Sequence, residues 1–497
     1  MKSTLMRITL ISFLIFLFIP NLTSAEIKTF IKQYTYQASD EDSKNSSRVI
    51  ALREVKRLLL EELGSYLESV TEVQSFQLTK DHIVTLTAGI VQTEIVDEKW
   101  DGRIYWLKAK IAADSDGVIK NIDALRTDRE KTKELEKLRK SSGEHLQEIK
   151  RLRKELTMAK GEDRVKEKTA YDNTIKLLTA IEWIEKGIAL GRSGDYNNAI
   201  ENFTKAIELN QINAGAYYNR GVAYQYLGNY RQAIEDLDKA IALNPKYASA
   251  YLNRGVDYEK LGNHRQAIQD YGKAIALDPK SSKSYYNRGN IYSELGNYRL
   301  AIEDYDKAIA LNPKYVEAYS NRGIIYYNLG NHKQSIKDFD KAIALNPKDE
   351  KAYSNRGIIY IKLGNHRQAI EDFDKAIEIN PIREEVYTNR GIAYACLGNH
   401  RQAIEDCDKA IALNPKYVGA YYGRGVTYGE LGNHRQAIED YDKAIALNPK
   451  FVEAYFNRGL SHIKLSNNKQ GVADIKIAAR LGAKEAQIFL TRIGIDW

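Results

Sequence analysis

The fold of this chain is decided by a stretch of 34 residues that recurs along it. Residues 316–349 read VEAYSNRGIIYYNLGNHKQSIKDFDKAIALNPKD. Gly330 ends a first helical pattern and Pro347 ends a second, because glycine tolerates a left-handed turn and proline cannot continue a helix. The stretch therefore predicts two short helices in tandem.

The same pattern returns every 34 residues, and a column of glycines marks it: Gly187, Gly221, Gly255, Gly289, Gly323, Gly357, Gly391, Gly425 and Gly459. Such a period is typical of a helical-repeat array, in which repeats stack because none can bury its apolar face alone. We number the repeats 1 to 9, and the first residue of each repeat is its position 1. These first residues are Ala180, Ala214, Ala248, Ser282, Val316, Glu350, Glu384, Val418 and Val452.

The pattern resembles the tetratricopeptide repeat family, whose aromatic, Gly, Tyr, Ala, aromatic, Ala and Pro residues stand at positions 4, 8, 11, 20, 24, 27 and 32. The resemblance implies a mostly α fold, a right-handed superhelical solenoid. Repeats 1 and 9 depart from the pattern, with Gln211 for proline and Ser466 for the turn glycine, as terminal repeats do.

The N-terminus is typical of a secretory signal. Lys2 and Arg7 precede an apolar run, residues 8–19, which is too short to span a bilayer. We expect residues 1–25 to be removed after Ala25. The mature chain would then lie in the periplasm or cell envelope of a Gram-negative bacterium, without stable membrane insertion; secretion is the alternative.

Residues 26–117 predict a small α+β domain, with one long helix on an antiparallel sheet. Apolar residues recur at helical spacing from Asp40 to Val70. Val84 and Leu86 then alternate with threonines, which indicates a strand, and Asp101-Gly102 predicts a hairpin turn.

Residues 118–175 are rich in charged helix formers and predict a helical, coiled-coil-like spacer through which the chain could form a homodimer. Its heptad-spaced apolar residues are Leu135, Leu138, Ile149, Leu152 and Leu156. The repeats fill residues 180–485. Residues 486–497 predict a capping helix whose inner face carries Ala486, Phe489, Leu490 and Ile493.

Composition and motifs argue against several functions. The chain is 43% apolar and 28% charged, an ordinary globular balance, and its charges are interspersed, so we expect no nucleic-acid partner. No phosphate-binding loop, nucleophile elbow or zinc-helix motif is present, so we expect no enzyme activity and no cofactor. Five histidines at position 17 replace tyrosines, which indicates packing rather than a metal site.

Two cysteines, Cys396 and Cys407, both lie in repeat 7. Cys407 occupies a core position and Cys396 a variable one, so we expect one buried and one exposed cysteine rather than a disulfide. At position 7, eight repeats carry an arginine where the family prefers leucine. Each arginine should pair with a carboxylate such as Asp236 and its equivalents, or extend its guanidinium group to water, because unpaired buried guanidinium groups are not tolerated.

Positions 2, 5, 9, 12 and 13 vary between repeats and share one face of the first helix with position 6. We call these six positions the groove face, because in tetratricopeptide arrays this face lines the concave groove. Lys283, Tyr286, Asn290 and Lys351 belong to it. Variation on this face fits either recognition of a partner or drift of a solvated surface.

Position 6 is nearly constant and forms an asparagine row: Asn219, Asn253, Asn287, Asn321, Asn355, Asn389 and Asn457. An amide offers a donor and an acceptor together, which suits the repeating groups of an extended peptide backbone. A similar row holds peptide backbone in O-linked N-acetylglucosamine transferases. The alternative is that these asparagines brace neighbouring helices.

The carboxylate clamp of chaperone-binding family members is matched in part. Asn290, Asn321 and Lys351 stand at clamp positions, while Tyr286 replaces a lysine and Asn355 an arginine. The overall prediction is a non-catalytic exported scaffold whose groove binds an extended segment of a partner protein. Two alternatives remain: a component of an envelope assembly or secretion apparatus that binds folded partners, and an accessory of a carbohydrate-related enzyme.

Overall fold

A computed structural model describes residues 27–69, 80–88, 90–114, 117–120, 122 and 129–496. The predicted signal, residues 1–25, lies outside these ranges. The chain divides into two compact parts, residues 1–270 and 271–497. Within the described ranges, no helix has the length and apolarity needed to cross a membrane.

The first part opens with a three-stranded antiparallel sheet in the order β1-β3-β2. Its strands are β1 (Ile27–Gln37), β2 (Thr93–Trp100) and β3 (Ile104–Asp114). The predicted hairpin turn is confirmed, since the Asp101 carboxylate accepts hydrogen bonds from the backbone of Arg103 and Ile104. Helix α1 (Lys44–Ser69) packs on the sheet through buried leucines.

One predicted strand is wrong. Residues around Val84 form the helix α2 (Lys80–Ala88), in which the Thr87 hydroxyl donates to the carbonyl of Ile83 at 2.6 Å. Ile83, Val84, Leu86 and Thr87 are all buried, so the alternation of apolar and hydroxyl side chains does not separate a core face from a solvent face. Strand β1, by contrast, was not predicted from the sequence.

The predicted spacer is folded against the sheet domain. Helices α3 (Arg129–Leu156) and α4 (Gly161–Arg192) pack on each other, and four of the heptad-spaced residues join the apolar cluster that contains Tyr105 of β3: Leu135, Ile149, Leu152 and Leu156. These side chains therefore have partners within their own chain. The homodimer stays a prediction.

A buried carboxylate ties the two helices to the domain. The side chain of Asp42 is fully buried and accepts hydrogen bonds from the hydroxyls of Tyr36 and, on α4, Tyr171. Arg153 of α3 lies 3.3 Å from the same carboxylate. Hydrogen bonds to a buried charge offset its cost of desolvation, so this contact fixes α3 and α4 on the sheet domain.

The C-terminal half of α4, from Ala180, is the first helix of repeat 1. The helices that follow alternate between second and first helices of successive repeats: α5 (Tyr196–Leu209), α6 (Ala214–Tyr226), α7 (Tyr230–Leu243), α8 (Ala248–Lys260), α9 (His264–Leu277), α10 (Ser282–Glu294), α11 (Tyr298–Leu311), α12 (Val316–Asn328), α13 (His332–Leu345), α14 (Glu350–Lys362), α15 (His366–Ile379), α16 (Glu384–Cys396), α17 (His400–Leu413), α18 (Val418–Glu430), α19 (His434–Leu447), α20 (Val452–Lys464) and α21 (Asn468–Arg480). The helix α22 (Lys484–Arg492) follows the last repeat.

The scaffold positions act as the sequence predicted. A Cβ atom built on Gly221 would lie 3.2 Å from the carbonyl oxygen of Ala233, so a larger residue would require the two helices to move slightly apart. The turn glycine Gly228 has φ +76°. Ser466 adopts φ +64° at the same place in repeat 9, a left-handed conformation that is uncommon for residues other than glycine.

The C-terminal helix α22 covers the last repeat. Ala486 and Leu490 are fully buried in a cluster with Ile475, and Phe489 packs against it. Ile493 is 47% exposed, so the prediction that it joins this face is wrong. The helix ends at Arg492, which leaves Ile493 beyond the last helical turn.

Every position-7 arginine pairs with a buried aspartate 16 residues later, as predicted. Two parallel hydrogen bonds of 2.6 to 2.9 Å join each pair: Arg220–Asp236, Arg254–Asp270, Arg288–Asp304, Arg322–Asp338, Arg356–Asp372, Arg390–Asp406, Arg424–Asp440 and Arg458–Asp474.

A second aspartate, on the preceding repeat, was not predicted. Arg356 also donates to Asp340 at 2.5 Å, and its guanidinium lies near the rings of Tyr353 and Tyr360. The hydrogen bond to Asp372 raises the pKa of Arg356 further above its ordinary value, although burial opposes the shift. Six arginines bind such a second aspartate and so link the second helices of two neighbouring repeats: Arg254, Arg322, Arg356, Arg390, Arg424 and Arg458.

Candidate partner-binding face

The groove face lies on the first helices of the repeats, and the asparagine row runs through it. Its members lie on α6, α8, α10, α12, α14, α16 and α20, and each is partly buried. A helix places positions 2, 6, 9 and 13 on one side, so a residue at position 6 would contact any segment that binds to this face. The local partners of each asparagine decide whether it is available.

Three asparagines of the row are braced by tyrosine. Each donates its amide N–H to the hydroxyl of a tyrosine at position 5 of the preceding repeat. The distances are 3.0 Å from Asn253 to Tyr218, 3.1 Å from Asn321 to Tyr286 and 2.9 Å from Asn457 to Tyr422. For these three positions, the structure supports the alternative in which asparagine braces neighbouring helices.

Three other asparagines, Asn287, Asn355 and Asn389, make no side-chain hydrogen bond to any described residue. Their preceding repeats carry Leu252, Ser320 and Ser354 where tyrosine would stand. The Ser320 hydroxyl is itself buried and finds no partner within the described part of the chain. These three amides are therefore open to an added ligand.

The first two positions of the row are occupied by the chain itself. At position 6 of repeat 1, Glu185 is buried and pairs with Arg53 and Lys56 of α1. Burial alone would raise the pKa of Glu185, but the two cations outweigh it and lower the pKa to about 2. At the next position, Asn219 donates to Glu134 of α3 at 2.7 Å.

The partial clamp does not form an anion site. Asn290 and Asn321 bond to each other at 3.0 Å, and the Tyr305 hydroxyl donates to Asn290 at 2.7 Å. Lys351 is exposed and, among the described residues, has no ion pair; Lys283 is exposed as well. Asn321 donates its amide N–H groups to Asn290 and to Tyr286, so this clamp asparagine has no N–H left for a carboxylate.

Asp257 of α8 is a groove-side feature that the sequence analysis missed. It is fully buried at position 10, where other repeats carry small or apolar residues such as Ile325 and Ala393. One carboxylate oxygen accepts from Gln225 at 2.8 Å, while the other has no partner in the described residues. Burial raises the pKa of Asp257 to about 7.

The two cysteines do not pair with each other. As predicted, Cys407 is buried and Cys396 exposed, and both are free thiols. Burial raises the pKa of Cys407 to about 12, so it stays protonated. Where the structure describes the chain, no cluster of three or more His, Cys, Asp or Glu residues could hold a metal ion.

Sequence reasoning found the row but not which members are available. The signal was present in part, since a tyrosine at position 5 precedes each braced asparagine. The partners of Glu185 and Asn219 come from α1 and α3, more than 80 residues away along the chain. No local pattern predicts contacts at that separation.

Paired helices on a 34-residue period define a helical-repeat protein. Three sequence patterns of the tetratricopeptide repeat family match the chain: one at residues 214–247, 248–281, 316–349, 350–382, 384–417 and 418–451, a second at 189–228 and 289–330, and a third at 271–303. Together they cover more than half of the chain, which therefore belongs to the tetratricopeptide repeat family.

Several solved structures are similar to part of this chain. YrrB, a tetratricopeptide repeat protein with an unusual peptide-binding site, is 27% identical over 38% of this chain and 96% of its own, with a TM-score of 0.35. MamA is 28% identical over 35% of this chain and 94% of its own, with a TM-score of 0.30. A protein from Parabacteroides merdae is 25% identical over 50% and 98%, with a TM-score of 0.38. No curated protein sequence matches the chain.

Proposed function

We propose that the chain is a non-catalytic scaffold whose groove face binds a segment of a partner protein. Tetratricopeptide repeats form protein-interaction scaffolds. The observation that carries the proposal is the set of three amides, at Asn287, Asn355 and Asn389, that make no side-chain hydrogen bond to any described residue. Polar groups that lie partly buried without a partner gain most from a ligand that supplies one.

The proposed scaffold acts outside the cytoplasm, on the support of the signal pattern in residues 1–25. N-terminal sequencing of the mature protein should start at Glu26. A mature chain that still begins at Met1 would contradict export but would leave the binding face unaffected.

The chain offers a matched pair of triple variants to test the binding face. Peptides selected from a random library against the full chain serve as the probe. Changing Asn287, Asn355 and Asn389 to Ala removes up to three ligand hydrogen bonds of about 0.5 to 1.5 kcal/mol each, so affinity should fall roughly tenfold to a thousandfold. Melting temperature should change little.

The control variant changes the braced residues Asn253, Asn321 and Asn457 to Ala. It should lower the melting temperature, because each change removes an inter-helix hydrogen bond, and leave peptide affinity nearly unchanged. If both variants lose the same affinity, or if the first variant loses none, then Asn287, Asn355 and Asn389 do not form the binding site.

A further inference from the structure

The chain itself shows what the groove face can hold. The start of α3 lies on the groove face of repeats 1 and 2, where Glu134 accepts a hydrogen bond from Asn219 at 2.7 Å. The next residue, Leu135, is 5% exposed and packs in the apolar cluster that Ile188 of repeat 1 joins. Glu134, Leu135, Ile188 and Val222 line a shared cavity of about 210 Å³.

The position of the Glu134 carboxylate is set by a small residue beneath it. A Cβ atom built on Gly215, at position 2 of repeat 2, would lie 2.9 Å from a carboxylate oxygen of Glu134. Position 2 of a repeat therefore faces the acidic group of a helix docked in this manner. The amide at position 6 and the apolar residues at position 9 complete the contact.

Four repeats further along, repeats 5 and 6 present an equivalent surface that no described helix covers in this way. Repeats 5 and 6 carry the equivalents of Ile188, Asn219 and Val222: Ile324, Asn355 and Ile358. Ile324 is 40% exposed, and Asn355 lacks a side-chain hydrogen bond among the described residues. The equivalent of Gly215 is Lys351, an exposed cation with no ion pair in the described structure.

Repeats 4 and 7 each lack one of the features that repeats 5 and 6 combine. Repeat 4 has Lys283 at position 2, but its position 9 is Asn290, which is hydrogen-bonded to Tyr305 and Asn321. Repeat 7 has an apolar position 9, but Glu385 stands at position 2 and would repel a carboxylate. Repeats 5 and 6 combine the open amide, the apolar residues and the cation.

We propose that repeats 5 and 6 bind an amphipathic α-helix of a partner protein in which a glutamate is directly followed by a leucine. The helix docks as α3 docks on repeats 1 and 2, with its glutamate on Asn355 and Lys351 and its leucine between Ile324 and Ile358. This inference rests on the proposed function, and it replaces the extended segment predicted from sequence by a helical one. Amphipathic helices in apolar grooves are a recurring mode of recognition.

A synthetic peptide of residues 129–156, added to the full chain, tests the proposal. In the full chain, α3 already covers repeats 1 and 2, so a fluorescently labelled copy should bind repeats 5 and 6, measured by anisotropy. Lys351→Glu should weaken binding at least tenfold, because it replaces an attraction by a repulsion, and Asn355→Ala about two- to tenfold. A peptide with Glu134→Lys should recover binding to the Lys351→Glu protein.

The matched controls are Lys341→Glu, an exposed lysine on the second helix of repeat 5, and Asn457→Ala, at a position 6 that is braced by Tyr422. Both should leave the affinity within about twofold. Ser320→Tyr supplies Asn355 with the partner that Tyr286 gives Asn321, so it should weaken peptide binding without lowering the melting temperature. No binding, or binding that is insensitive to Lys351, Asn355 and Ser320, would overturn the proposal. A different outcome would separate the two proposals. If the library peptides need Asn287, Asn355 and Asn389 for binding but the peptide of residues 129–156 does not bind, the helix proposal is wrong and the proposed function still holds.

Discussion

One neighbouring residue decides the role of each asparagine at position 6. Asn321 and Asn355 share the same helix position and the same Asn-Arg-Gly sequence. Tyr286 reaches the first amide from the preceding repeat, whereas Ser320 is too short to reach the second. A hydrogen bond to tyrosine makes the amide part of the scaffold, and its loss leaves a donor for a ligand.

The two aspartates that bind one arginine should differ in their contribution to stability. Asp372 has a 6% exposed side chain and Asp340 a 52% exposed one, and both bind Arg356. Asp372→Ala should lower the free energy of unfolding by about 3 kcal/mol, because it leaves a largely buried guanidinium without its main partner. Asp340→Ala should cost less than about 1 kcal/mol, as exposed pairs do.

Urea unfolding of the two variants, followed by circular dichroism, measures this difference. The two aspartates lie on neighbouring second helices and bind the same guanidinium, so each variant is the control of the other. Equal losses would mean that burial does not set the strength of these pairs.

At the scale of the element, helices were predicted well wherever the apolar period repeats. The 34-residue register fixes where each helix begins and ends, because glycine and proline terminate helices by local backbone chemistry. The strand predicted for the α2 segment was wrong because this segment lacks such a period. It is short, and its residues 83–87 are all buried, so its apolar pattern carries no period from which helix and strand can be distinguished.

Helix α3 shows how one element can serve two surfaces. Ile149, Leu152 and Leu156 join the apolar cluster of the sheet domain, while Glu134 reaches the groove face of repeat 2. Its heptad spacing indicated a partner helix, and that partner is α4 of the same chain. Periodicity predicts that an apolar seam is covered, but it does not identify what covers it.

At the scale of the molecule, the sheet domain and the first repeats form a single packed unit within residues 1–270. Glu185, the position-6 residue of repeat 1, is bound by Arg53 at 2.9 Å and by Lys56. Its pKa is about 2, below the ordinary value of 4.5. The stability it contributes is therefore complete above pH 4.5 and is lost as pH falls toward 2.

Glu185→Gln should lower the free energy of unfolding by about 3 kcal/mol at pH 7, because it breaks a buried ion pair and leaves Arg53 and Lys56 without their common partner. Because the wild-type carboxylate becomes protonated in acid, the difference between variant and wild type should shrink at pH 3 and below. Thermal unfolding of both proteins across this pH range checks the trend. A difference that does not change with pH would rule out the ion pair as its source.

The sequence by itself determined the repeat period, the helix boundaries, the scaffold residues and the pairing of the position-7 arginines. These features depend on backbone chemistry and on residues that recur at fixed separations, so comparison of repeats within one chain reveals them. The tertiary structure alone decided that α3 folds back, that Arg53 and Lys56 bind Glu185, and that Asn287, Asn355 and Asn389 are open. These depend on contacts between distant segments, where the choice of partner is set by packing and charge in three dimensions rather than by local pattern.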